Sequence, residues 1–169
     1  LLNDLLDLSK IEAGHMELTH EPFDVSHVIR STVRLFQPTA QSKRLRLTVQ
    51  ISNDVPQRVM GDAMRVRQVM LNLIGNAIKF TDQGSGRIVA QEEDGSIVIR
   101  VIDTGVGIPV DVRNRVFEPF FTTRSESGGS GLGLSTCHRL VCEMKGEISL
   151  QQDNQTRFTV RLPLYETKV

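Results

Sequence analysis

The stretch from Asp103 to Leu134 constrains this chain more than any other. It opens on Asp103-Thr-Gly-Val-Gly-Ile-Pro109, passes through Phe117-Glu-Pro-Phe-Phe121, and closes on Gly128-Gly-Ser-Gly-Leu-Gly-Leu134. Two glycine turns thus bracket a polar tract. Glycine lets backbone approach a ligand with no Cβ in the way. The second turn opens a helical pattern, where unpaired N–H groups and the helix dipole favour phosphate. Asp103 ends an apolar run and offers an acceptor-only carboxylate, suited to an amino group such as that of adenine. One half of the stretch is thus suited to a base, the other to phosphates.

A chain of 169 residues with 39% hydrophobic content supports one domain with a short appendage. Lys plus Arg equals Asp plus Glu at 20 each, which argues against bulk nucleic-acid binding. With no Trp and one Tyr, stacking platforms for single strands are poorly supplied. Cys137 and Cys142 lie in a helical pattern at a spacing that is neither a metal clip nor a redox pair, as expected in a reducing compartment. No apolar run is long enough to span a bilayer.

In chain order, Leu1 to about Leu18 reads as an amphipathic helix, one arm of a helical bundle, with the rest of the chain as a second unit over 19–169. Because the chain opens inside that helical pattern, it reads as a fragment. His20 to Phe23 suggests a short strand, and Asp24 an N-cap for a helix to about Ser42, loosened near its end by Pro38. Leu45 to Ile51 alternates as a half-buried strand. Ala63 to about Phe80 is the most informative helix. Val66, Val69, Met70, Leu73, Ile74, Ala77 and Ile78 make its apolar stripe, while Gln68, Asn72, Asn76 and Lys79 share one polar stripe. Asparagine is a mediocre helix former, so two of them beside a Lys point either to a ligand face or to a solvated one. Thr81 to Gly86 reads as a loop, and Arg87–Gln91 with Ser96–Ile102 as a hairpin. Pro109 starts a short helix with Val112 and Val116 inward. Gly131 to about Lys145 reads as a helix, and Glu147–Gln151 with Phe158–Leu162 as a last hairpin ended by Pro163. The order implies an α+β, two-layer sandwich: a mixed, mostly antiparallel sheet of about five strands with three main helices on one face.

Each motif alone is weak, but in this order they are specific. Gln68-Val-Met-Leu-Asn72-Leu-Ile-Gly-Asn76-Ala-Ile-Lys79-Phe80-Thr81 resembles the N box of sensor histidine kinases. Asp103-Thr-Gly105-Val-Gly107-Ile108 resembles their G1 box, Phe117-Glu-Pro-Phe120-Phe121 their F box, and Gly129-Ser-Gly131-Leu132-Gly133-Leu134 their G2 box. Leu5-Leu-Asp-Leu-Ser-Lys-Ile-Glu-Ala-Gly14 is similar to the end of their dimerisation and phosphotransfer hairpin, in wording closest to hybrid kinases. The resemblance implies the Bergerat (GHKL) ATP-binding fold, with ATP and Mg²⁺ as ligands. Asp103 would bond the adenine amino group, with Gly105, Gly107 and Ile108 lining the backbone approach. Asn76 would be the Mg²⁺ ligand through its amide oxygen. Lys79 would contact phosphate, and Gly129, Gly131, Leu132, Gly133 and Leu134 would form the phosphate turn. Pro109 to Ser130 would be a lid, mobile over Ser125 to Ser130, with Phe120, Thr123 and Arg124 contacting nucleotide. Asn72 and Lys79 are the catalytic candidates.

The sequence also departs from the family pattern. Met144-Lys145-Gly146 stands where two glycines are frequent, and Asp153-Asn-Gln-Thr156 lacks the usual glycine; both imply altered turns. His15, His20, His27 and His138 match no phosphoacceptor context, so the acceptor histidine is expected on a hairpin mostly absent from this chain. Related ATPases carry a Glu one helical turn before the metal-binding Asn. Asn72 stands there instead and cannot be a carboxylate base, which favours transfer to a protein nucleophile over hydrolysis. The implied partners are that hairpin, in the same or a partner chain of a homodimer, and a response-regulator receiver domain, with no nucleic acid. The implied location is cytoplasmic, whether or not the parent is anchored in the inner or plasma membrane. A GHKL ATPase or a regulatory nucleotide-binding module remains the alternative.

Overall fold

The computed structural model describes residues 17–122 and 130–165. The bundle-arm reading of Leu1 to Leu18 and the mobility expected over Ser125 to Ser130 fall almost wholly outside them. Five strands form one sheet in the order β2 (Arg46–Ile51), β4 (Ser85–Glu93), β5 (Ser96–Asp103), β7 (Thr156–Pro163), β6 (Glu147–Gln152). The β2–β4 pair is parallel and the others antiparallel. A second, two-stranded antiparallel sheet joins β1 (Glu21–Phe23) to β3 (Val59–Gly61). Helices α1 (Val25–Ser42), α2 (Ala63–Lys79) and α3 (Gly133–Glu143) cover one face of the large sheet, with α2 between the other two. The fold is the α+β sandwich expected.

The helices form where their residues dictate. Asp24 accepts the His27 N–H at 2.8 Å and Asp62 the Arg65 N–H at 3.0 Å, so both N-termini carry side-chain caps, each of a kind contributing about 1 kcal/mol. The apolar stripe of α2 is buried throughout, from Val66 to Ile78. Pro38 sits inside α1, which nonetheless runs on to Ser42. At the end of α3, Lys145 takes the left-handed conformation (φ 59°) in which glycine is more usual, and the Gly146 N–H closes on the Val141 carbonyl at 2.8 Å. There the altered turn of the sequence is accommodated without a second glycine.

Along β5, Ile97, Ile99 and Val101 face the helices. Arg100 on the opposite face joins Arg161 around Glu93, whose carboxyl is held below its ordinary value chiefly by the Arg100 hydrogen bond. Several boundaries differ from the sequence reading: α3 runs Gly133–Glu143 rather than Gly131 to Lys145, β7 begins at Thr156 rather than Phe158, and three more carry a physical reason. Val59–Gly61 is a strand, too short for periodicity to reveal. β4 begins at Ser85 rather than Arg87, because Ser85 and Gly86 pair with Arg46 and Leu47, and Gly86 leaves room for the Leu47 side chain. Pro163 does not end the pairing. It lies opposite Ser96, and Leu164 still donates to the Gly95 carbonyl at 2.9 Å. Since β6 begins only at Glu147, opposite Arg161, no neighbour there requires the missing proline N–H.

Candidate functional site

The inner face of the sheet is apolar until its last row. There Asp103, Thr156 and Gln152 stand side by side on β5, β7 and β6, in register. Paired residues on antiparallel strands project to the same side. These polar side chains therefore end the core and floor a cleft of about 690 Å³. Asp103 is buried, and its Oδ1 accepts the Gly105 N–H at 2.9 Å. Burial pushes its carboxyl above the ordinary 3.8, against the hydrogen bond of the Gly105 N–H and the nearby Thr156 and Thr81 hydroxyls.

The opposite wall is the polar stripe of α2. Asn72 and Asn76, half-buried, and the exposed Lys79 all line the cleft. Gln68, the fourth member, instead accepts from Arg65 Nη1 at 2.8 Å and lies outside the lining. Asn72 Nδ2 donates to the Gly133 carbonyl at 3.4 Å, tying α2 to the first turn of α3.

The turn after Asp103 is fixed by close packing. A Cβ on Gly105 would stand 2.4 Å from the Phe80 carbonyl oxygen, which itself accepts the Val106 N–H at 3.2 Å. Gly105 thus lies behind the cleft and shapes it. Gly107 (φ 75°) and Ile108 line it, and Gln152 Oε1 accepts the Ile108 N–H at 3.1 Å. A 3₁₀ turn over Val110–Arg115 follows, with Arg113 Nε donating to the Ile108 carbonyl at 2.8 Å.

Of the expected phosphate turn, Gly131, Gly133 and Leu134 line the cleft. Leu132 does not: its side chain is buried in the protein. Phe120 does not either. It is 62% exposed in a left-handed conformation (φ 62°), and its neighbours Phe121 and Thr122 line the cleft instead. Thr123, Arg124 and Gly129 lie outside the described residues. Sequence reasoning missed Gln152, Thr156, Phe158 and Arg113, which enter the cleft from a strand end, a neighbouring strand and the short turn. Only the register of the sheet reveals the first three.

Among the described residues no three His, Cys, Asp or Glu side chains gather around a metal position. The groups lining the cleft include the Asn72 and Asn76 amides and the Lys79 ammonium. The amide oxygen of Asn76 fits a hard cation held mainly by ligand phosphates, while the ammonium can only pair with the phosphates themselves.

A sheet backed by three helices, with a buried carboxylate facing an Asn-Asn-Lys helix stripe across one cleft, defines a nucleotide-binding domain of the Bergerat type. The chain belongs to the histidine kinase-, DNA gyrase B- and HSP90-like ATPase family, whose model matches residues 61–166. It is 37% identical to the hybrid signal transduction histidine kinase K of Dictyostelium discoideum, over 98% of this chain and 15% of that protein. The chain therefore spans less than a fifth of that curated relative. Full-length ShkA in complex with AMPPNP superposes with a TM-score of 0.89 at 32% identity, over 98% of this chain and 35% of ShkA. Histidine kinase ThkA in complex with the response regulator protein TrrA superposes with a TM-score of 0.76 at 27% identity, over 99% of this chain and 50% of ThkA.

Proposed function

We propose that this chain is the catalytic ATP-binding unit of a sensor histidine kinase, delivering the γ-phosphoryl of Mg-ATP to a histidine on a helical hairpin. The observation that carries the reading is the pairing of Asp103 with the Asn72–Asn76–Lys79 stripe across one cleft. Asp103 accepts the adenine amino group, and its burial gives that hydrogen bond its strength. Asn76 holds Mg²⁺ through its amide oxygen, and the ion when bound neutralises phosphate charge. Lys79 adds a compact cation. The Gly129, Gly131 and Gly133 N–H groups take phosphate oxygens, and Thr123 and Arg124 reach the terminal phosphate from the lid.

Asn72 is the residue that directs the outcome. Its amide cannot take a proton from water, and it is engaged with the Gly133 carbonyl. The site therefore positions the phosphoryl for an external nucleophile: a histidine nitrogen bonds to phosphorus, the bond to the ADP oxygen breaks, and the histidine proton goes to solvent. The phosphohistidine then passes its phosphoryl to an aspartate of a receiver domain. Support for such a partner comes from the ThkA–TrrA complex. The hairpin belongs to the same chain or to a dimer partner. The parent works in the cytoplasm; no helix of the described residues is long and apolar enough to cross a membrane.

The test is to mix this chain with γ-labelled ATP, alone and with its parent's hairpin as a separate chain. Label is expected only on a histidine of the added hairpin, acid-labile and base-stable. Rapid ATP turnover by this chain alone, with no label on the hairpin, would replace the reading with an ATPase.

A further inference from the structure

Gln152 is a half-buried amide at the end of β6, and it takes two donors on one oxygen. Its Oε1 accepts the Ile108 N–H at 3.1 Å and the Thr156 hydroxyl at 3.1 Å. A backbone N–H can only donate, so the Ile108 contact fixes which way the amide points. Thr156 is the register partner of both Gln152 and Asp103, so its side chain stands between the two and donates to the Gln152 amide. That hydroxyl has one proton and two acceptors beside it. Given to Gln152, the proton leaves the Asp103 lone pairs for a ligand. Given to Asp103, it occupies one of them in a charge-assisted bond.

We infer that Gln152 is a positioning residue that sets the base selectivity of the cleft, by drawing the Thr156 proton away from Asp103 while it pins the turn at Ile108. The inference rests on the reading of Asp103 as the carboxylate that accepts a base amino group. With Gln152 in place, the Thr156 proton is turned from Asp103, and the carboxylate faces the cleft as an acceptor. It welcomes the 6-amino group of adenine and repels the 6-oxo group of hypoxanthine. Without Gln152, the Thr156 proton turns to Asp103. The carboxylate then accepts the amino group less well and repels the oxo group less.

The test compares ATP and inosine triphosphate binding to the whole chain, wild type, Gln152→Met and Gln152→Glu, by competition with a fluorescent ATP analogue. Thermal denaturation confirms that each variant is folded. Gln152→Met is expected to lower the ratio of ATP to inosine triphosphate affinity about tenfold, the scale of one hydrogen bond lost at a buried charged group. Gln152→Glu keeps an acceptor for both donors and is expected to recover most of that ratio. If Gln152→Met weakens both nucleotides equally, or neither, the residue merely supports the turn and the inference fails. If the wild type shows no preference for ATP and Asp103→Ala binds as well as it does, the base-binding reading has failed first.

Discussion

The Asp103 carboxylate accepts the N–H of Gly105, two residues further along, at 2.9 Å. One carboxylate oxygen thus holds the turn while the group as a whole faces the cleft. Asp103→Ala removes the acceptor for a base but leaves the neighbouring strand pairing in place. The mutant is expected to fold and to lose ATP affinity by about 10- to 100-fold, from a charge-assisted hydrogen bond of roughly 1.5–3 kcal/mol. Calorimetric titration of the folded mutant decides it, and unchanged affinity would sink the adenine assignment.

The same carboxyl makes the domain sensitive to pH. Burial raises its pKa above 3.8 in the folded chain. An acid with a raised folded pKa favours folding fully below the unfolded value, and that contribution is lost as pH rises through the folded value. At neutral pH the empty domain therefore carries an unfavourable buried charge. Asp103→Asn is expected to raise the denaturation midpoint at pH 7, with the gain shrinking as pH falls toward 3.8. ATP binding by the wild type runs the other way and weakens as acid protonates Asp103. A midpoint difference independent of pH would refute this account.

Asn76→Ala should separate metal from base. With the amide oxygen gone, ATP affinity is expected to become nearly independent of Mg²⁺, while Mg²⁺-free binding changes by less than about threefold, since no contact to the base is removed. Titrations with and without the ion measure this directly. A mutant that keeps the full Mg²⁺ effect places the metal on another residue.

Two glycines offer a graded comparison. Gly95 has φ 74° in the turn between β4 and β5, and a Cβ there meets nothing within 4 Å. Gly131 has φ 66°, and a Cβ would stand 2.5 Å from the Phe120 carbonyl carbon. Gly95→Ala is expected to cost about 1 kcal/mol of stability. Gly131→Ala adds a backbone collision, so its cost reaches about 3 kcal/mol and ATP affinity falls with it. Denaturant unfolding of both mutants, with nucleotide titration, tests the order; equal costs would mean the turn at Gly131 yields freely.

Much of this was legible in the sequence. Period-3.6 stripes placed α1 and α2, and the Asp24 cap fixed where α1 begins. Asn72, Asn76 and Lys79 were visible as a stripe because helical spacing alone puts them together. Gln152 and Thr156 were not, because what joins them to Asp103 is strand register, and register is set by pairing partners far apart in the chain. Gln68 illustrates the opposite error: it has the right spacing, but Arg65 takes its side chain. Phe120 and Leu132 sit within motifs yet face away from the cleft, since neighbouring residues of a tight turn diverge in direction.

The parallel pairing of β2 with β4 has a consequence for how the domain assembles. Antiparallel neighbours joined by tight turns, as in β4–β5 and β6–β7, can zip from the turn outward. β2 and β4 are separated in sequence by β3 and the whole of α2, so their pairing closes a long loop at an entropic cost. The ligand-facing helix is the main part of that loop. Edge-strand closure and docking of the helix that carries Asn72, Asn76 and Lys79 are therefore expected to be coupled and to come late in folding. A nucleotide that grips the stripe resists the reverse step, so it acts as a brake on unfolding more than as an accelerator of folding.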